Sequence, residues 1–117
     1  MKEYRGKRGK GQEAETVACV FLKERGYKII QRNFKTKFGE IDIIASKENV
    51  LCFVEVKSGE NLNFLPEWKV NSRKMEKIKK TALAFLKKTA KDFEECRFDV
   101  ISIKKDKIDF IEGAFTL

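Results

Sequence analysis

The spacing of apolar side chains along the chain predicts two helices and five strands. Apolar residues recur every three or four positions over about residues 12–25, where Gly26 supplies a left-handed stop, and again over residues 72–91. Runs typical of strands lie at residues 27–34, 38–45, 50–57, 97–103 and 107–111. The pattern therefore predicts one domain with the order α-β-β-β-α-β-β and no internal repeat.

The second and third predicted strands are expected to form an antiparallel hairpin. The segment between them, residues 46–49, is a turn sequence, and its Asn49 can adopt the positive φ that such turns often need. A loop near residues 47–50 sets the register of the hairpin. In that register Asp42 lies directly opposite Glu55, so two carboxylates are side by side.

Three charged residues of this hairpin, Asp42, Glu55 and Lys57, interrupt otherwise apolar strands. Burying a carboxylate in a central strand is costly unless it is paired or binds a metal, and facing carboxylates repel. A hard cation between Asp42 and Glu55, Mg²⁺ or Mn²⁺, would offset both the cost of burial and the repulsion between the carboxylates. The alternative interpretation is a Glu55–Lys57 salt bridge at an exposed strand end.

A third acid is expected from the first helix. Glu15 flanks the apolar stripe of that helix and can reach toward the sheet, with Glu13 as the competing residue. The simpler interpretation of either glutamate is a first-turn acid that the helix dipole favours.

The segments that resemble a known family span residues 13–103. They are Glu15, Gly26-Tyr27, Gly39-Glu40-Ile41-Asp42, Phe53-Val54-Glu55-Val56-Lys57, Lys74 and Arg97-Phe98-Asp99-Val100. In this order they resemble the YraN-like family of small bacterial proteins, which is similar to the archaeal Holliday-junction resolvases and belongs with the PD-(D/E)XK nuclease superfamily. The resemblance implies an α/β restriction-endonuclease-like core of order α-β-β-β-α-β(-β), in which helices flank a mixed central sheet.

The same resemblance implies roles for four residues. Asp42 and Glu55 would bind the metal, Lys57 would be the catalytic lysine, and Glu15 would be the helix-borne acid. The sequence departs from the family pattern in two places: Ala14 stands where a glycine commonly precedes the helix acid, and residues 58–59, Ser-Gly, replace a frequent Thr-Arg pair after the lysine. The second departure removes a phosphate contact beside the site.

Charge points to a polyanionic partner, because the chain carries a net charge of +8. Residues 1–12 form an expected flexible basic arm ahead of a nuclease-like domain at 13–117. The nucleic-acid-binding candidates, from the arm and the second helix, are Lys7, Arg8, Lys10, Arg73, Lys74 and Lys77. The alternative is a solvated lysine face. In the long connection before the second helix, Phe64, Leu65 and Trp68 either stack on bases or cap the core.

Other features narrow the chemistry and the location. Histidine is absent, which excludes Ser-His and Cys-His catalysis and histidine-ligated zinc. The cysteines Cys19, Cys52 and Cys96 form no CxxC pair and are expected to be buried thiols in a reducing cytoplasm. No apolar run approaches the length of a membrane helix, so no membrane association is expected.

These observations predict a metal-dependent endonuclease that hydrolyses phosphodiester bonds in DNA, with branched or structured DNA as one candidate substrate. The alternative is a nucleic-acid-binding module that keeps the nuclease fold without cleaving. By analogy with the junction resolvases, which act as dimers, a homodimer is one expected assembly.

Overall fold

The computed structural model describes residues 10–59, 71–89, 91–105 and 107–116. Its elements, in chain order, are α1 (Lys10–Glu24), β1 (Lys28–Lys35), β2 (Glu40–Lys47), β3 (Val50–Ser58), α2 (Ser72–Lys88), β4 (Glu95–Lys104) and β5 (Lys107–Thr116). The predicted order of elements is confirmed. Helix α1 begins before its predicted start, so residues 10–12 of the expected arm are helical. Residues 1–9 lie outside the described part of the chain.

The five strands form one sheet in the order β1-β2-β3-β4-β5. Strands β3 and β4 are parallel, and every other neighbouring pair is antiparallel. The parallel pair follows from the connection between them, because a chain that returns in the same direction needs a long crossover, which here contains α2. The sheet is therefore mixed, as expected.

A two-residue turn sets the register of the β2–β3 hairpin. Glu48 and Asn49 both have positive φ, 51° and 66°, and Lys47 pairs with Val50 across the turn. These are the dihedrals of the tight turns that match the twist of a hairpin. The ladder continues in the predicted register to Ile43, which pairs with Val54.

The two helices cover opposite faces of the sheet, as the alternation of β3 shows. Cys52 and Val54 pack in one core cluster with the apolar face of α1, whereas Leu51 and Phe53 pack in the other with Phe85 of α2. Neither of the two described helices is long and apolar enough to cross a membrane.

Strict alternation breaks where β1 and β2 approach the edge of the cores. Asn33 has a φ of 54°, a conformation that asparagine tolerates better than most residues. On either side of it, Arg32 points to α1 and Phe34 packs in the α2 core. In β2, Ile43 belongs to the α1 core and Ile41 to the α2 core. Asp42 lies at this change of direction, which sequence alternation alone did not predict.

Candidate active site

A small cavity of about 170 Å³ lies where β2 and β3 leave their shared ladder. Its polar lining comes from the three acids Glu40, Asp42 and Glu55. Its apolar lining includes Ile78 of α2 and Phe98 of β4. Carboxylates from two adjacent strands thus share one concave site beside the α2 core.

Asp42 is tied to the neighbouring strand by its side chain. Its Oδ2 accepts a hydrogen bond from the backbone N–H of Val56, with 2.8 Å between the two atoms. Backbone pairing of β2 with β3 runs from the turn to Ile43 and Val54, so this contact comes just past the end of the ladder. It holds the Asp42 carboxylate beside the Glu55 segment of β3, as the predicted register requires.

The surroundings of Asp42 disfavour its charged form. The pKa of Asp42 is raised from 3.8 to about 7, chiefly by burial, and the Val56 hydrogen bond acts in the opposite direction. The negative charges of Glu15, Glu55 and Glu40 contribute to the same increase. Three acids, from α1, β2 and β3, therefore oppose the charged form of Asp42, and a bound cation would offset this repulsion.

Glu15 is the helix acid whose charge acts on Asp42. Its side chain is 14% exposed, and its Oε1 lies 3.6 Å from Nη2 of Arg32 in β1. That Oε1 is buried and has no hydrogen-bond partner within the described structure. Arg32 was not among the predicted site residues, although a charged residue in the middle of a strand was a signal for it. The competing Glu13 lies in the first turn of α1.

The donor set fits a hard divalent cation. Carboxylate oxygens are the ligands that Mg²⁺ and Mn²⁺ prefer, and Glu15 Oε1 is a buried acceptor that pairs with Arg32 by charge but accepts no hydrogen bond in the described structure. As the side chains stand, no group of three or more Asp, Glu, Cys or His residues in the described ranges is close enough to hold a metal. Asp42 and Glu55 would therefore be completed by water, which Mg²⁺ usually retains.

Lys57 follows Glu55 by two residues in β3 and is half-buried. Alternation places both residues on one side of the strand. Lys57 is not among the residues that line the Asp42 cavity, and its neighbour across the parallel pair is Ser102. The structure thus brings the three acids together and leaves the lysine at the margin of the cavity.

A second cavity of about 300 Å³ adjoins the first, and Glu40, Glu55 and Ile78 line both. Its other lining residues are Phe38, Gly39, Lys74 and Lys77. Two of the predicted nucleic-acid-binding lysines therefore stand next to the acids. Sequence reasoning did not identify Phe38, because a single aromatic residue in a polar segment does not by itself indicate a binding site.

The remaining binding candidates are less well placed or not described. Arg73 is exposed in the first turn of α2, where its backbone N–H donates to the capping Asn71 Oδ1 at 3.0 Å. Lys10 starts α1, but its side chain is outside the description. Lys7, Arg8, Phe64, Leu65 and Trp68 lie outside the described residues.

An ion pair within β4, between Arg97 and the buried Asp99, is structural. Asp99 is fully buried and accepts hydrogen bonds from Arg97 Nε at 2.9 Å and from the Gly113 backbone N–H at 2.8 Å. Arg97 also donates to the Tyr27 hydroxyl at 2.8 Å. These contacts join β4 to β5 and to the chain after α1. They explain why charged residues occur in an apolar strand without a role in the acidic cavity.

The order of elements, the mixed sheet and the helices on its two faces define an α/β protein with a restriction-endonuclease-like core. Residues 14–103 match the model of a family described as Uncharacterised protein family UPF0102. The chain belongs to this family, which confirms the YraN-like resemblance.

Relatives from several bacteria match over almost their whole length. A UPF0102 protein of Thermodesulfovibrio yellowstonii is 45% identical over 106 residues, which cover 90% of this chain and 94% of the relative. One from Syntrophomonas wolfei is 42% identical over 110 residues, covering 90% and 96%. One from Campylobacter hominis is 42% identical over 113 residues, covering 97% and 96%.

Proposed function

We propose that this protein is a metal-dependent endonuclease that hydrolyses phosphodiester bonds in DNA. The observation that carries the proposal is the acidic cavity, where half-buried Asp42 shares one site with Glu55 and Glu40 and lies within the electrostatic influence of Glu15. Carboxylates placed this close together would not be expected if the site only stabilised the fold. Binding of a cation and a phosphate would account for them.

The acids have distinct roles in this proposal. Asp42 and Glu55 would hold Mg²⁺ or Mn²⁺, and Glu15 would contribute from α1 through water. The cation, when bound, would polarise a phosphate oxygen and lower the pKa of the attacking water. The Val56 hydrogen bond keeps the Asp42 carboxylate oriented, so little reorganisation is needed when a substrate enters.

The basic residues complete the substrate site. Lys57 would orient the attacking water or offset the negative charge that develops on the phosphate, which is the role the resemblance implies for it. Lys74 and Lys77 stand on the far side of the shared acids, where they would attract the flanking phosphates. Acid and base therefore lie on opposite sides of one groove.

A binding module without cleavage is the second candidate. It is favoured by the position of Lys57 outside the cavity lining and by the absence of a ready three-carboxylate group in the described ranges. Either activity is proposed for the cytoplasm, since Cys19, Cys52 and Cys96 are free thiols in the structure. A homodimer stays a prediction by analogy.

Incubation with labelled DNA separates the two candidates. Linear, flapped and four-way DNA would be incubated with Mg²⁺, Mn²⁺ or a chelator, and binding would be followed in parallel. The expected result is cleavage of at least one substrate that requires metal and is lost in Asp42→Asn. Asp92→Asn, at an exposed site away from the cavity, is the matched control. Binding without cleavage under every condition would favour the module.

A further inference from the structure

Phe38, on the wall of the second cavity, is an aromatic residue that the core does not use. Its side chain is half-buried, and it belongs to neither of the two core clusters of the described chain. Two ammonium groups lie over its ring, with Lys37 Nζ 5.4 Å and Lys80 Nζ 5.3 Å from the centroid. A partly exposed ring among cations is a surface on which a base can stack beside its own phosphate.

The turn that presents Phe38 is fastened to helix α2. The Phe38 N–H donates to Thr36 Oγ1 at 3.0 Å, and the Thr36 N–H donates to the Gly39 carbonyl at 2.8 Å. The hydroxyls of Thr36 and Thr81 are 3.3 Å apart, and Thr81 Oγ1 donates to the Lys77 carbonyl at 2.8 Å. The Thr36 hydroxyl also lies 3.5 Å from the Gly39 carbonyl, to which it can donate, so either hydroxyl can be the donor between Thr36 and Thr81. The turn that carries Phe38 is thus held against α2 before any ligand arrives.

The size and lining of the second cavity suit one nucleotide. Its volume of about 300 Å³ is at the lower end of the range for small-ligand sites. A cavity of this size is too small to hold a duplex. Lys74 and Lys77 supply positive charge for a phosphate, and Phe38 supplies a ring face for a base. In a continuous duplex the faces of the bases are covered by their neighbours, so only an unpaired or extruded base can use that ring.

The position of this cavity ties the nucleotide to the acidic site. Glu40 and Glu55 line both cavities, so a nucleotide beside Phe38 is a direct neighbour of whatever occupies the Asp42 cavity. The shared wall is acidic and the outer wall is basic. A strand that crosses from one cavity to the other would place one phosphate near the acids and the next near the lysines.

We propose that the cavity at Phe38 binds a single unpaired nucleotide of the DNA strand that enters the acidic site. The base stacks on Phe38, and its phosphate lies beside Lys74 and Lys77. The inference rests on the proposed function for the identity of the ligand as DNA. It adds the substrate class: DNA with a single-stranded nucleotide at the site, as in a flap, an overhang or a branch, in preference to continuous duplex.

Binding to single-stranded and duplex oligonucleotides tests the proposal. The full-length protein would be titrated by fluorescence anisotropy into a labelled single strand and its blunt duplex, in chelator so that no strand is cut. Phe38→Leu removes the ring and keeps an apolar side chain. It should weaken single-strand binding by about 5- to 140-fold, which corresponds to the usual stacking contribution of about 1 to 3 kcal/mol. Duplex binding should be unchanged.

Two further variants make the result interpretable. Phe38→Tyr keeps an aromatic face and should retain single-strand affinity, which separates stacking from simple damage to the turn. Phe93→Leu is the matched control, because Phe93 also lies under a lysine, with Lys91 Nζ 5.3 Å from its centroid, and lines neither cavity. That control should bind both DNAs like the wild type.

The outcomes also distinguish this inference from the proposed function. Equal losses on single strand and duplex in Phe38→Leu, or no loss on either, would overturn the nucleotide site even if the wild type cleaves DNA. A loss confined to single strands would support the site even if the wild type cleaves nothing. Failure of Phe38→Tyr to bind single strands would also overturn the stacking role.

Discussion

Replacing Asp42 by asparagine should make the metal-free protein more stable than the wild type at about pH 8. The Asp42 carboxyl is half-buried beside other acids, and desolvation together with their charges raises its pKa from 3.8 to about 7. Above that pH the native wild type carries a charge that burial and the nearby carboxylates oppose. Asparagine has the shape of the protonated acid and carries no charge at any pH, so the variant avoids this cost.

The direction of the pH dependence follows from the raised pKa. The native state holds the Asp42 proton more tightly than the unfolded chain does. The protonated Asp42 therefore makes its full contribution to stability below about pH 4. The contribution falls as pH rises and is lost as pH passes through about 7. The difference between the two pKa values means that this proton contributes on the order of 4 kcal/mol to the free energy of unfolding at low pH. The variant should lack this slope.

Urea unfolding in chelator at about pH 4, 6 and 8 measures the difference directly. The two proteins should be similar at the lowest pH, and the variant should lead by up to a few kcal/mol at the highest. Asp92→Asn, which removes an exposed carboxylate, should follow the wild type throughout. Parallel pH dependences for wild type and Asp42→Asn, or a less stable variant at about pH 8, would refute the assignment of a costly buried charge to this residue.

Other predictions concern the metal, the lysine, the arm and the buried ion pair. Mg²⁺ or Mn²⁺ at about 100 times its Kd should stabilise the wild type by about 2.7 kcal/mol, seen as a higher Tm. An equal rise in Asp42→Asn would remove that residue from the metal site. Lys57→Ala should slow DNA cleavage about 100-fold with little change in affinity by anisotropy, and equal losses in both would contradict its role in the transition state. Deleting residues 1–9 should weaken binding to all sequences alike and flatten the dependence of log affinity on log salt, whereas an unchanged slope would mean that the arm contacts no phosphate. Asp99→Ala should lower the free energy of unfolding by about 3 kcal/mol because it leaves Arg97 without its buried partner. A loss well under 1 kcal/mol in urea unfolding would show that this pair contributes little.

Local interactions explain which parts of the fold were predictable from sequence. Helices α1 and α2 follow from the spacing of apolar residues that are close together in the chain. The start of α2 at its Asn71 cap is also set by neighbouring residues, as is the two-residue turn at Glu48 and Asn49. The turn also set the pairing of β2 with β3, because a tight turn leaves one register. The side-by-side arrangement of Asp42 and Glu55 could therefore be expected before the structure was known.

The environment of the site was decided only by tertiary packing. The change of direction at Asn33 sends Arg32 toward Glu15, and the Thr36–Thr81 contact brings the Phe38 turn against α2. No periodicity encodes these contacts, because they join residues that are far apart in the chain.

By itself, the sequence determined the order of elements, the hairpin register and which acids could meet, since these follow from short-range sterics and hydrogen bonds. The tertiary structure decided how deeply Asp42 is buried, which charges act on it, and that Lys74, Lys77 and Phe38 share a cavity with Glu55. The physical reason is that burial and electrostatic coupling depend on the mutual placement of α1, β2, β3 and α2. That placement results from packing the two cores on opposite faces of one twisted sheet.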